Sequence, residues 1–369
     1  MTRATSDRRL RVLALASYPT EAASSRYRIV QYIEPLAARG IDVTFSPFLD
    51  ARLFAVLYKP GRLVGRLPAL ALRTLARIGA VIGSWRADIV LVQREAMLFG
   101  PPLIEWIAAR LLRRPLVLDL DDATWVSYAS PVYGRIATLL KWPSKTNRLI
   151  RWASAVACGS PNVASYARSL GASVTLVPTT VDTRVFRPAR NAAARVPVIG
   201  WIGSHGTYAY LERLFPVLTR LRREVAFTLL IAGAGHDGID VPGVETIARA
   251  WSLETEVADF QSLDIGLYPI AEDEWSAGKS GLKAVQYMAC GVPFVMSPVG
   301  VCATMGITGE THFAAITDDD WYGHLRALVT DEKLRERMGA SGRAFAETHY
   351  GIEAGADLLS ELILAVART

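Results

Sequence analysis

The chain has 369 residues, 51% hydrophobic and 21% charged, which excludes a disordered protein and leaves room for two domains. Its three cysteines, Cys158, Cys290 and Cys302, are scattered and lack any Cys-x-x-Cys or His/Cys company, arguing against a disulfide framework or zinc site and for a reducing compartment. The formal charge of +6 joins opposite halves: residues 1–190 carry 27 Lys+Arg against 12 Asp+Glu, residues 191–369 carry 14 against 23.

In the first half, stretches 51–87 and 123–181 hold no acidic residue. A half-chain this basic points to an anionic partner: membrane surface, nucleic acid or phosphorylated substrate. No nucleic-acid-binding motif is recognisable in it, so nucleic acid is set aside. The basic start at Arg8, Arg9 and Arg11 precedes an apolar run, 12–16, too short for a secretory leader. That run reads as a first strand, 11–17, followed by helical spacing over 26–39. Further strands are predicted at 41–45, 88–93, 115–120 and 172–177, with a helix over 101–113. Lys59, Arg62, Arg66, Arg73 and Arg77 fall within an arc of about 60° at helical spacing. Leu63, Val64, Leu67, Leu70, Leu75 and Ile78 take the other face, and Pro68 divides the stretch into two short helices. A basic stripe beside an apolar face suits an interfacial helix on anionic lipid; a solvated helix docked on its own domain is the alternative.

The pattern restarts after a proline-rich linker at 178–197. Strands are predicted at 197–202, 226–232, 263–268 and 293–297, with helices over about 208–222 and 281–290. Amphipathic helices follow over 319–330, 331–348 and 351–367. No segment reads as a transmembrane helix, since the longest charge-free stretch, 284–309, is broken by Gln286, prolines, serines and glycines. Apolar strands separated by helices imply parallel sheets covered on both faces, hence an α/β protein of two Rossmann-like domains facing a cleft. Ligands then belong at the carboxyl ends of the strands.

The segment from Tyr268 to Val295 reads as strand, acidic loop, helix start at 278–281, one helix capped by Gly291, then strand. Small residues at a helix start expose backbone N–H groups, and the helix dipole favours an anion there. Lys279 and Lys283 lie four apart, hence on one face, and are the only lysines between Lys145 and Lys333. They suit a diphosphate clamp; a solvated first turn is the alternative. The turn Gly203-Ser204-His205-Gly206-Thr207 lies between a strand and a helix that Ser204 and Thr207 can cap. Asp119, Asp121 and Asp122 end a buried-looking strand. Three such carboxylates suit a divalent cation, or pairing with Arg26, Arg28 or Arg94, which is the favoured reading.

The pattern G-K-x-x-x-K-x-x-Q-Y-M-A-x-G-x-P from Gly278 to Pro293 resembles the donor-site signature of one branch of glycosyltransferase family 4, of GT-B fold. Ala23-Ser24-Ser25-Arg26-Tyr27-Arg28 is similar to that branch's acceptor-side loop. Gln93-Arg94-Glu95-Ala96 and Asp119-Leu120-Asp121-Asp122-Ala123 resemble its next two loops. Val177-Pro178-Thr179-Thr180-Val181-Asp182, with Phe186 and Pro188, resembles the interdomain segment, and 334–350 the closing helix. The similarity spans the chain. It implies an acceptor-side domain at 1–185 and a donor-binding domain at 186–350, with a helix at about 351–369 packing back on the first.

The resemblance further implies a retaining hexosyltransferase moving a sugar from a UDP- or GDP-linked donor to a glycan, lipid-linked or small-molecule acceptor, with no metal or other cofactor. Its setting would be cell-envelope polysaccharide synthesis, in the cytoplasm and peripheral on the inner face of the membrane. Donor contacts fall to Gly203, Ser204, Thr207, Gly278, Lys279, Lys283 and Gln286, with Lys279 neutralising the leaving diphosphate. Acceptor contacts fall to Ser24, Ser25, Arg26, Arg28, Arg94 and Glu95. Asp121 or Asp122 would orient an acceptor hydroxyl as an acid/base aid, with Glu95 competing. The sequence departs from the E-x7-E motif of many members: Gly278 and Gln286 stand at its two glutamate positions. A nucleotide-sugar epimerase or hydrolase, and a non-catalytic nucleotide-sugar or glycan-binding protein, are the rival readings.

Overall fold

The computed structural model describes residues 8–57, 64–127, 140–189, 196–235 and 238–368. The chain divides into two units, Met1–Pro178 with Glu353–Thr369, and Thr179–Ile352. Each is built on a six-stranded sheet whose strand pairs are all parallel.

In the first unit the strands are β1 (Leu10–Ala16), β2 (Ile41–Pro47), β3 (Ile89–Gln93), β4 (Leu116–Leu120), β5 (Ala155–Cys158) and β6 (Val174–Leu176), in the order β2-β1-β3-β4-β5-β6. The central strands β3, β4 and β5 are buried at every residue, as parallel strands covered on both faces must be. The order reverses between β1 and β3, so the loops leaving these strands splay apart and open a crevice. The second unit holds β7 (Val198–Ile202), β8 (Thr228–Ala232), β9 (Glu245–Arg249), β10 (Ile265–Tyr268), β11 (Phe294–Met296) and β12 (Phe313–Ala314). Their order, β12-β11-β10-β7-β8-β9, is that of a dinucleotide-binding sheet, with reversal between β7 and β10. Its core joins Trp201, Leu218, Phe227, Ile231, Ile265 and Leu325.

The helix predicted over 26–39 is broken into α1 (Ala23–Arg28), a 3-10 turn (Val30–Tyr32) and α2 (Ile33–Ala38). After α3 (Ala51–Leu57), α4 (Leu67–Gly83) carries the predicted basic stripe, of which Lys59 and Arg62, with Leu63, lie outside the described residues. The stripe is an outward face only in part: Arg66, just before α4, is exposed, whereas Arg73 and Arg77 are engaged inward. Arg77 is buried and donates to the carbonyls of Ser46 and Ala16 at the carboxyl ends of β2 and β1, at 2.8 and 2.9 Å. Arg73 pairs with Asp50. Arg77 thus turns inward to strand-end carbonyls and Arg73 to a carboxylate, while Leu67, Leu72 and Leu75 are exposed and Leu70 packs against the core.

The helix predicted over 101–113 is α5 (Leu103–Trp106) continuing into a π-type turn, Ile107–Leu111. The first unit continues with α6 (Lys145–Trp152) and α7 (Pro161–Ser169). The second unit ends with α13 (Asp318–Thr330) and α14 (Glu332–His349); the last helix, α15 (Ile352–Ala367), belongs to the first unit from Glu353 on, and Arg39 after α2 pairs with its Glu353 and Asp357 at 2.9 and 2.6 Å. Of the predicted linker, residues 179–189 belong to the second unit. There Arg343 donates to the carbonyls of Thr183, Phe186 and Ala289.

Candidate functional site

Two short helices follow β7: α8 (Tyr208–Glu212) and α9 (Phe215–Arg222). The turn between β7 and α8 is Gly203–Thr207, and its shape follows from what lies beneath it. A Cβ on Gly203 would stand 2.1 Å from the Trp201 ring, so the backbone rests directly on a fully buried indole. A Cβ on Gly233, just past β8, would stand 2.4 Å from the Gly203 carbonyl oxygen. Glycine is required at both positions for the two loops to approach. Neither Ser204 nor Thr207 caps α8 through its side chain, as the sequence had suggested. The Thr207 hydroxyl turns back to the Ser204 carbonyl at 3.2 Å, and Ser204 is exposed. With only five residues, α8 lends the turn little dipole.

Across the reversal, β10 ends at Tyr268. After α10 (Glu256–Gln261) in chain order come α11 (Glu274–Ala277), capped by Asp273, and α12 (Leu282–Ala289). The helix start predicted at 278–281 is therefore displaced. Gly278 ends α11, Lys279 lies in the connection, and Gly281, at φ +73°, is the residue before α12. Lys279 and Lys283 thus do not share one helix face, although Lys279 still repels the charge on Lys283. Gly300, after β11, braces this connection, since its Cβ would meet the Ala277 carbonyl at 2.4 Å.

Lys283 is a cation without an ion pair among the described residues. Its ammonium lies 5.1 Å from the Trp201 ring centroid and 5.4 Å from that of Tyr268, so π faces meet its charge in place of a carboxylate. Burial and the neighbouring Lys279 lower its pKa from 10.5 to about 7. Lys279 in turn lies 5.5 Å from the Trp275 ring centroid. One helical turn beyond Lys283, the buried Gln286 donates to Glu256 at the start of α10, at 3.5 Å. Sequence reading missed Glu256, Trp201 and Tyr268; the only available signal for the two aromatics was their place at or near the ends of predicted strands.

In the first unit the β1 and β3 loops meet the end of β4. Arg28, only 2% exposed, grips Asp119 through Nε and Nη2 and gives Nη1 to the Val177 carbonyl at 2.7 Å. Burial opposes its charge, but Asp119 outweighs burial and raises its pKa. Arg94, at φ +59°, holds Asp121 at 2.6 and 2.7 Å and Asp122 at 2.5 Å. Burial works against ionised Asp121, and Arg94 overcomes it, keeping the carboxyl below its ordinary range. Gln93 also donates to Asp121, at 2.9 Å. Glu95 pairs with the buried Lys145 at 2.6 Å. Nearby, burial lowers the pKa of Lys141. The carboxylates thus pair with Arg28 and Arg94, whereas Arg26 turns to the Thr20 and Glu21 carbonyls. Ser25 donates to the Tyr18 carbonyl at 2.7 Å, and Ser24 is partly exposed. Chemically, one unit offers an underbalanced pair of cations at a nucleotide-type crevice, the other a set of aspartates paired with arginines.

Residues 196–331 match the family model described as Glycosyl transferases group 1. No curated protein sequence matches the chain. Among solved structures, sucrose-phosphate synthase from Thermosynechococcus elongatus is similar over 97% of this chain and 99% of its own, at 14% identity and a TM-score of 0.69. HepE of Anabaena, in complex with UDP-glucose, is similar over 96% and 100%, at 14% identity and a TM-score of 0.70. The lipopolysaccharide outer core galactosyltransferase WaaB, in its apo form, is similar over 96% and 99%, at 14% identity and a TM-score of 0.58. Identities this low carry the fold: two parallel-sheet Rossmann-like units of the GT-B kind. Together with the group 1 match, they support a glycosyltransferase.

Proposed function

We propose that the protein is a retaining, metal-independent glycosyltransferase that takes a sugar from a nucleotide diphosphate-sugar. The observation that carries this is the pair Lys279 and Lys283 at the β7/β10 reversal, where Lys283 has aromatic faces but no carboxylate to balance it. A cation so placed needs an anion, and a diphosphate beside the Gly203 turn supplies it. Lys279 and Lys283 then neutralise the charge that grows on the departing nucleotide diphosphate. Gln286, with Glu256, takes the ribose hydroxyls. UDP is the favoured nucleotide, in keeping with HepE, which binds UDP-glucose. The acceptor, a glycan or lipid-linked sugar, belongs to the β1, β3 and β4 loops, where Asp121 and Asp122 accept from its hydroxyls. Arg94 pairs with both and holds the Asp121 carboxyl below its ordinary range, so Asp121 is a weak base that orients the acceptor more than it deprotonates it. The setting would be the inner membrane surface, in cell-envelope polysaccharide synthesis.

Calorimetric titration with UDP, GDP, ADP and CMP tests the donor site, and transfer from the matching sugar conjugates tests the reaction. Binding of one diphosphate at micromolar affinity is expected; binding of none removes the reading. Lys279→Ala should slow transfer about 10- to 150-fold, the worth of one charge-assisted hydrogen bond. A non-catalytic sugar-nucleotide binder is the second reading, favoured by the side-chainless Gly278 where a carboxylate would touch the donor sugar. Donor binding with no turnover across an acceptor panel would select it, and hydrolysis or epimerisation without acceptor would select a different enzyme.

A further inference from the structure

The first unit carries an apolar surface that its described residues leave uncovered. On α4 the outward arc runs through Leu72, Leu75 and Ile82, the first two 67% and 65% exposed. Trp85, just beyond α4, is 58% exposed. The helix packs beside α5 and its π-type extension, where Trp106 and Leu111 are exposed as well. A third exposed tryptophan, Trp142, follows Leu140, whose carbonyl accepts from Gly100 N–H ahead of α5. These three are the exposed tryptophans of the described residues. Isolated exposed leucines are unremarkable, but a continuous apolar arc edged by tryptophans is not.

The charge around this surface has one sign. No acidic residue occurs from 51 to 87, and Arg66, Arg86 and Arg110 are exposed. Arg86 lies 4.8 Å over the Trp85 ring. Tryptophan and arginine side by side, edging aliphatic side chains, is the chemistry of a bilayer interface, where rings sit at headgroup level and guanidinium groups meet phosphate. A second copy of the chain would bring like charges together. We propose that the α4 surface is the seat of the protein on an anionic membrane, with Leu72, Leu75 and Ile82 entering the acyl boundary and the arginines at phosphate level. Arg73 and Arg77 have no part in it, because Asp50 and strand-end carbonyls already engage them. This deepens the membrane part of the reading above and does not depend on the donor chemistry.

The test is vesicle flotation of the purified full chain, with phosphatidylcholine alone and with one third phosphatidylglycerol. The protein should rise with the anionic vesicles, and brominated lipid should quench its tryptophan emission. Leu72→Gln/Leu75→Gln/Ile82→Gln should lower the bound fraction at least about tenfold. Because all three side chains are exposed, the variant should keep its circular dichroism and UDP affinity. No flotation at either composition, no quenching, or equal flotation of the variant overturns the proposal. So does a dimer in sedimentation that the variant abolishes, which would make the surface a self-interface. UDP titration of the same preparation reports separately on the donor reading.

Discussion

The ammonium of Lys283 lies against Trp201 and Tyr268 and faces Lys279, with a pKa lowered from 10.5 to about 7 by burial and that neighbour. In the free protein its charge is complete below pH 7 and lost above it. A bound diphosphate favours the charged form, so above pH 7 binding takes up a proton and affinity falls about tenfold per pH unit. Calorimetry at about pH 8.5, in buffers of different ionisation heat, should give close to one proton taken up per UDP. Lys283→Met should abolish that uptake. The same group works against folding: below pH 7 the folded chain bears the full cost of a desolvated charge, and the cost fades as pH rises toward 10.5. Lys283→Met should therefore stabilise the ligand-free protein below pH 7 by about 1–3 kcal/mol while losing UDP. Thermal unfolding with and without UDP checks both halves. Arg28 is the opposite case. Its removal strands buried Asp119, so Arg28→Ala should cost about 3–5 kcal/mol, read from denaturant unfolding.

Among the elements, the start of α12 is the most exposed to test. Gly281 has φ +73°, and a Cβ there would meet the Met305 sulfur at 2.2 Å. Gly309 has φ +86° with nothing within 4 Å. Both alanine variants carry the left-handed backbone cost of about 1–2 kcal/mol, but Gly281→Ala should also shift Lys283 and weaken UDP binding. Equal UDP affinities in the two variants would remove the first turn of α12 from the site.

Much of this scaffold was legible. The central strands stand out as unbroken apolar runs, and the Gly203 turn and the 278–286 segment follow β7 and β10, the strands on either side of the reversal. Strand β5 escaped because Ala-Val-Ala-Cys is small rather than β-branched, and β9 because an edge strand with exposed Glu245 and Arg249 has no apolar run. The start of α12 was misplaced because Asp273 caps a separate turn of helix first. The direction of the basic stripe was illegible for a different reason. Arg77 answers carbonyls of Ala16 and Ser46, and Arg28 answers Asp119, 91 residues away; no local period encodes such partners.

On the scale of the whole chain, each unit has its own core, and the first is assembled from two separated stretches of sequence. Ending the chain after Ile352 would remove both carboxylate partners of Arg39 and the buried Leu359 and Ile363, all of which serve the first unit. Scanning calorimetry of that truncation should show the first unit's transition weakened or lost. The remaining transition should still rise with UDP, by about 2.7 kcal/mol at a hundredfold excess over Kd. Loss of the UDP response would mean that the donor site needs more than the second unit.

The late return of α15 also sets an order of events during translation. The ribosome must deliver all of residues 179–352 before the helix that completes the first unit can emerge. At bacterial or eukaryotic elongation rates that interval is roughly 10–35 s. The second unit can fold within it, while the first waits unfinished with its arc of leucines and tryptophans already synthesised. The first unit therefore lacks its last helix until the whole of the second has been made.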